Sequence, residues 1–100
     1  MSKQFKVFHA NNPKFGFGDP IFNDQNYIHV ATVECETIDE AFEITNHIWH
    51  DWTNNQEVIW CSKQTIGSEK ALRSTSVGDV IQDMETCEHY RCMMAGWKRI

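Results

Sequence analysis

Thr37-Ile38-Asp39-Glu40 is a capping box, a hydroxyl residue followed three positions later by a carboxylate, and it opens the most strongly patterned stretch of the chain. From there Ile38, Ala41, Phe42, Thr45, Ile48, Trp49 and Trp52 fall on one helical face. Asp39, Glu40, Glu43, Asn46, His47, His50 and Asp51 fall on the other. Early acids suit the positive end of the helix dipole, and Asn54-Asn55 can supply the stop. The spacing predicts one principal amphipathic helix over 37–52. Its single apolar face must be buried against something else in the chain.

That something is a sheet. Phe5-Lys6-Val7-Phe8-His9 reads as an opening strand, and Tyr27 to Glu34 is rich in β-formers. Between them, Ala10 to Pro20 is dense in turn residues and reads as loop, with Phe15 and Phe17 packing it down. After the helix, Val58 to Cys61 is a short third strand. Val80-Ile81-Gln82 and Glu88 to Met94 pair as a hairpin across Asp83 to Cys87. The expected order is β-β-α-β-β-β. It describes an α+β domain in which a mainly antiparallel sheet of about five strands packs on one helix. The expected core is Phe5, Val7, Ile28, Val30, Phe42, Ile48, Trp49, Ile59, Val80 and Ile81, with Trp60 beside it and Trp97 closing the hairpin against the sheet.

One hundred residues, 41% of them apolar and 23% charged, make a single domain (1–100) with material for a core; disorder and fibrous repeats do not fit that balance. No window approaches the roughly 20 apolar residues of a membrane span, and no apolar run of signal-peptide length follows Met1. The expectation is a cytoplasmic protein away from membranes. Its four irregularly spaced cysteines (35, 61, 87 and 92) are then reduced thiols.

The net charge of −5 is unevenly spread. Between Lys14 and Lys63 lie nine acids and no Lys or Arg, while the two ends hold all nine basic residues and five acids. An acidic centre argues against nucleic acid as the main partner, because Lys and Arg supply affinity for phosphates. It can instead steer a protein with a basic surface, through the helix face carrying Glu40, Glu43, His47 and Asp51. The plainer reading of that face is solvated acid on a helix.

No motif names a reaction, and no catalytic residue is singled out. His47 and His50 lie three apart, but no Cys-x-x-Cys pair supports a metal site, and solvated helix histidines are the commoner case. Cys61 with His9 or His29 is the one thiol–base pairing to weigh, against its reading as a small buried hydrophobe. Phe15-Gly16-Phe17-Gly18 lacks the strand–helix context of a dinucleotide fingerprint, and no cofactor signature is present. Arg73-Ser74-Thr75-Ser76 can bind an anion through amides and guanidinium, although hydroxyls before a Gly-Asp turn more often satisfy turn backbone.

Several of these segments together resemble a family of small uncharacterised proteins from bacteriophages, plasmids and other mobile elements. They are Lys6-Val7-Phe8-His9-Ala10-Asn11-Asn12-Pro13, Phe15 to Asp19, Thr45-Asn46-His47-Ile48, Arg73 to Ile81, and the closing Tyr90 … Gly96-Trp97-Lys98-Arg99-Ile100. The resemblance spans nearly the whole chain. It implies an accessory protein acting inside a bacterial cell, and it attaches no activity, cofactor or catalytic residue.

Three functions follow as expectations. The first is a protein that binds, and thereby modulates or inhibits, a host or defence machine through the acidic helix face. The second is a small-ligand binder or enzyme with a polar site near His9, Asn11, Asn12, Asn46, His47, Arg73, Ser74, Ser76 and Asp79. The third is a homo-oligomer that pairs exposed strand edges.

Overall fold

Strand alternation along Lys3–Ala10 buries Phe5 and Val7 on one side and leaves Lys6 and Phe8 half-buried on the other. In the computed structural model, which describes residues 3–11, 14, 18, 21–46, 56–61 and 75–100, this strand is β1 and lies inside the sheet. The other elements are β2 (Tyr27–Cys35), α1 (Ile38–Thr45), β3 (Val58–Cys61), β4 (Val80–Asp83), β5 (Glu88–Met93) and β6 (Gly96–Arg99). Six strands form one antiparallel sheet in the order β3-β2-β1-β4-β5-β6. The α+β class holds, with one strand more than expected. Gly96–Arg99 pairs with β5 across Met94-Ala95, and Gly96 takes a φ of 106° that a side chain would strain.

Helix α1 lies on one face of the sheet. Phe5, Val7, Val30, Ala31, Val33, Ala41 and Ile81 form the buried cluster there, with Ile38, Phe42, Ile44, Val58 and Trp97 packed at its margin. The cap is as the sequence implies: Thr37 Oγ1 accepts the Glu40 N–H at 3.2 Å. Trp97, on the sixth strand, reaches back to the first turn of α1. Its Nε1–H donates to Asp39 Oδ1 at 2.9 Å, and its ring meets Phe42 edge-on.

The helix is shorter than its period predicts. It ends at Thr45, with Asn46 leaving helical geometry as the C-cap. The Thr45 carbonyl, which would carry the ladder onward, instead accepts the Thr75 N–H at 2.9 Å, and the Thr45 hydroxyl turns back onto Ala41 O. The predicted continuation over 47–52, including the core candidates Ile48 and Trp49, lies outside the described residues.

Two other core candidates prove exposed, Ile28 at 47% and Ile59 at 49%. Both errors trace to bulges on either side of β2. The β1–β2 register slips between Val7 and Phe8, so Val30 becomes the extra residue and the apolar alternation with Ile28 is cut. In the β2–β3 register Thr32 faces Trp60 and Val33 faces Val58, which leaves Ile59 unopposed.

Candidate functional site

Three residues of the expected polar site, His9, Ser76 and Asp79, come together at the end of β1, with His9 and Asp79 inside the protein. Asp79 Oδ1 accepts the Ala10 N–H at 3.0 Å and Oδ2 the Ser76 N–H at 2.8 Å. His9 Nε2 hydrogen-bonds with the Thr75 hydroxyl at 2.9 Å and stands 4.0 Å from Asp79 Oδ2. Thr75 in turn donates its N–H to the end of α1. The cluster therefore ties the end of β1, the end of the helix and the turn before β4 to one another. His9 is 4% exposed and Asp79 and Thr75 are fully buried. A nucleophile–base–carboxylate relay needs its partners on opposite imidazole nitrogens, whereas both of these contacts fall on Nε2. The geometry is that of an internal brace.

Other members of the expected polar site are scattered or structural. Asn11 ties the end of β1 to the residues just before β2, donating from Nδ2 to Gln25 O and from its backbone to Asn26 O. Asn46 is the exposed helix cap. Asn12, His47, Arg73 and Ser74 lie outside the described residues. On the acidic helix face, Glu40 and Glu43 are exposed and Asp51 is outside the described residues. Two acids of the first turn already have work within the fold, Glu40 in the capping box and Asp39 under the Trp97 indole.

The side of the sheet away from α1 is built differently. Trp60, His29 and Phe8 project there from three successive strands. Phe22 comes over them from the loop, and His89 joins from β5. The rings touch in series: Trp60 stacks on His29 with centroids 4.5 Å apart, His29 lies 5.3 Å from Phe8, Phe8 5.2 Å from Phe22, and Phe22 4.9 Å from His89. Lys6 shares this face two residues from Phe8 on β1, Arg91 two residues from His89, and the β5–β6 register sets Lys98 opposite Arg91. Glu34, opposite Gln4 at the far end of β2, is the acid that the strands place on this side. Exposed apolar groups border the rings: Ile21 at 78%, with Met93 and Ile100 less so.

Burial holds both histidines of this face below their ordinary pKa. For His29 the Lys6 charge adds to the effect, and its hydrogen bond to the Ala31 carbonyl opposes it. A carbonyl only accepts, so Nε2 of His29 carries the proton, donating to Ala31 O at 2.9 Å with Thr32 Oγ1 3.0 Å away. Both rings are accordingly neutral at pH 7 and serve as packing surfaces.

At the β5–β6 end of this face lies a cavity of about 350 Å³ lined by Ile21, Phe22, His89, Arg91 and Ile100. The Arg91 guanidinium is anchored from below, Nη2 lying 3.5 Å from the Tyr27 hydroxyl, which itself donates to Gly78 O at 2.8 Å. The sequence reading missed this face. Its signal is a period of two (Lys6 and Phe8; His89 and Arg91), which becomes a surface only once strand order is known.

Among the described residues no group of three or more His, Cys, Asp and Glu side chains is placed to hold a metal ion. Cys35, Cys87 and Cys92 are free thiols. Burial pushes Cys35, helped by Glu40, and Cys92, helped by Asp79, up to about 11, well away from thiolate character. Cys61 lies in β3, and its side chain is outside the described ones. No described helix is long and apolar enough to cross a membrane. No protein-family model matches the chain, nor does any curated protein or solved structure.

Proposed function

We propose that this chain is a binding protein that docks a protein partner on the open face of its sheet, between the Trp60 edge and the β5–β6 hairpin. The observation that carries the reading is the uninterrupted series of rings from Trp60 to His89. It is half-buried, flanked by exposed Ile21, Met93 and Ile100, and lies on the side of the sheet away from α1. Large partly exposed aromatics with an arginine among them are the composition of interface hot spots.

The expectation from sequence placed docking on the acidic helix face. Geometry supports that face less well, since Glu40 is engaged in the capping box of α1 and its neighbour Asp39 holds Trp97. The resemblance to proteins of phages, plasmids and other mobile elements supplies the context, an accessory protein that modulates a host or defence machine in the bacterial cytoplasm. Of the polar-site alternative (His9, Asn11, Asn12, Asn46, His47, Arg73, Ser74, Ser76 and Asp79), His9, Ser76 and Asp79 make hydrogen bonds that serve the fold.

The test is capture of partners from bacterial lysate with three forms of the protein. They are the wild type, an open-face variant (Lys6→Glu, Trp60→Ala, Met93→Asp) and a helix-face variant (Glu40→Lys, Glu43→Lys, Asp51→Lys). A stoichiometric partner retained by the helix-face variant and lost by the open-face variant is the expected outcome. The reverse pattern overturns the reading.

A further inference from the structure

We infer that the outer edge of β6 takes an extended segment of a partner polypeptide as an added antiparallel strand, with an acidic side chain of that segment opposite Lys98. The inference concerns the edge of the sheet and stands apart from the reading of its open face.

The hydrogen-bond pattern fixes which groups the edge offers. β6 ends the order β3-β2-β1-β4-β5-β6, and among the described residues no strand lies beyond it. In an antiparallel ladder one residue turns its peptide groups to the neighbouring strand and the next turns them away. Cys92 spends both on the β4 side, accepting from the Gly78 N–H and donating to Asp79 O, each at 2.8 Å. Arg91 and Met93 therefore face β6, opposite Lys98 and Gly96. The Ile100 N–H, donating to His89 O at 3.0 Å, keeps the same phase. The N–H and C=O groups of Trp97 and Arg99 are left pointing outward. Gly96, Lys98, Arg99 and Ile100 are exposed along this edge, and Trp97 is half-buried. Such a row of outward groups is what a strand-adding peptide pairs with.

The side chains select the strand. Lys98 stands on the open-face side, exposed and in no ion pair among the described residues. Trp97 and Arg99 stand on the helix side, the indole against Phe42 and the guanidinium on Glu88 at 2.8 Å. In an added strand the residue opposite Lys98 forms a non-hydrogen-bonded pair, the closer of the two kinds, so a carboxylate there meets the lysine. The residues on either side of it exchange hydrogen bonds with Trp97 and Arg99. The same lysine disfavours a second copy of the chain. Pairing β6 with β6 so that Trp97 of each copy meets Arg99 of the other sets the two Lys98 side chains directly opposite each other. A short cationic edge thus rejects itself and accepts an acid.

The experiment is an NMR titration, with amide exchange, of the ¹⁵N-labelled full chain. The probes are acetyl-Thr-Val-Glu-Val-Thr-amide, its analogue with Lys at the centre, and two N-methylated forms of the Glu peptide. One form is methylated on both valines, the other on the glutamate alone. The expected result is saturable shifts centred on Trp97, Lys98 and Arg99, with slower exchange of the Trp97 and Arg99 amides. The Lys peptide should bind about fivefold more weakly, the scale of a cross-strand charge pair turned to repulsion. Lys98→Glu, at an exposed position, should reverse that order. Methylating the valines, whose N–H groups face the edge, should abolish binding, whereas methylating the glutamate should leave it.

Equal affinity for the Glu and Lys peptides, tolerance of valine methylation, or no shifts at β6 with any peptide overturns the inference. Shifts at Trp97 and Arg99 that grow with protein concentration alone also overturn it, in favour of a second copy on the edge. Trp60→Ala, on the far edge strand, should leave the peptide affinity unchanged. A loss in that variant would put the peptide on the open face and overturn the inference as well.

Discussion

On the helix side of the sheet, Phe5, Val7, Val33 and Ile81 are buried and the polar groups at the rim have partners: Asp79 with two backbone amides, Thr75 with His9, Trp97 with Asp39. On the other side Phe8, Phe22, His29, Trp60 and His89 touch one another but stay half-buried, with Lys6 and Lys98 beside them in no ion pair among the described residues. Both sides use the same strands and the same alternation. The difference teaches that burial of a polar motif and exposure of an apolar one are the informative departures. The buried His9–Thr75–Asp79 cluster is a brace, and the half-buried ring series, with exposed Ile21, Met93 and Ile100 around it, is the surface on which we propose that a partner docks.

The comparison breaks most visibly if the helix side is cut. Phe5→Ala should destabilise the protein by about 4 kcal/mol in urea unfolding, from lost burial and the cavity left behind. Asp79→Ala comes next, by about 3 kcal/mol, because it strands the buried Ala10 amide and the half-buried Ser76 amide. A loss below about 1 kcal/mol there would show that the cluster is no brace. Trp97→Phe keeps an aromatic ring beside Phe42 but removes the hydrogen bond to Asp39 and part of the packed ring surface, a loss of about 1 kcal/mol. On the open side Ile21→Ser should change stability by less than about 0.5 kcal/mol.

Acidity provides a further contrast. His29 and His89 have native pKa values below those of the unfolded chain, so below about pH 6.5 the unfolded state binds more protons. The stability they contribute is whole above that point and declines as pH falls through the native values. Urea midpoints should therefore drop between pH 7 and pH 5. A His89→Gln variant should lose less across that interval than the wild type.

How far the sequence reached depends on how local each determinant is. The capping box at Thr37, the β1 alternation and the hairpin expected across 83–87 are written in neighbouring residues, and all three are present, with Asp83 belonging to β4 and not to the turn. The end of the helix is not local. Thr75, thirty positions away, takes the Thr45 carbonyl, and nothing in the apolar period announces that. Ile28 and Ile59 were misplaced because a bulge shifts alternation by one residue at a point fixed by pairing between strands. The polar motif His9 … Ser76 … Asp79 was legible as a constellation, but its depth was not. The ring series was invisible for a topological reason: Phe8 meets both His29 and His89 only because β1 lies between β2 and β4.

The central claim, that the protein meets its partner with the open face, is tested most directly by hydroxyl-radical footprinting of the full chain with and without its captured partner. The account predicts that Trp60, Phe22, Met93 and Ile21 lose reactivity in the complex while Met94 and the α1 residues Ile38 and Phe42 keep theirs. Protection of α1 with unchanged labelling of Trp60 and Met93 would contradict it and return docking to the acidic helix.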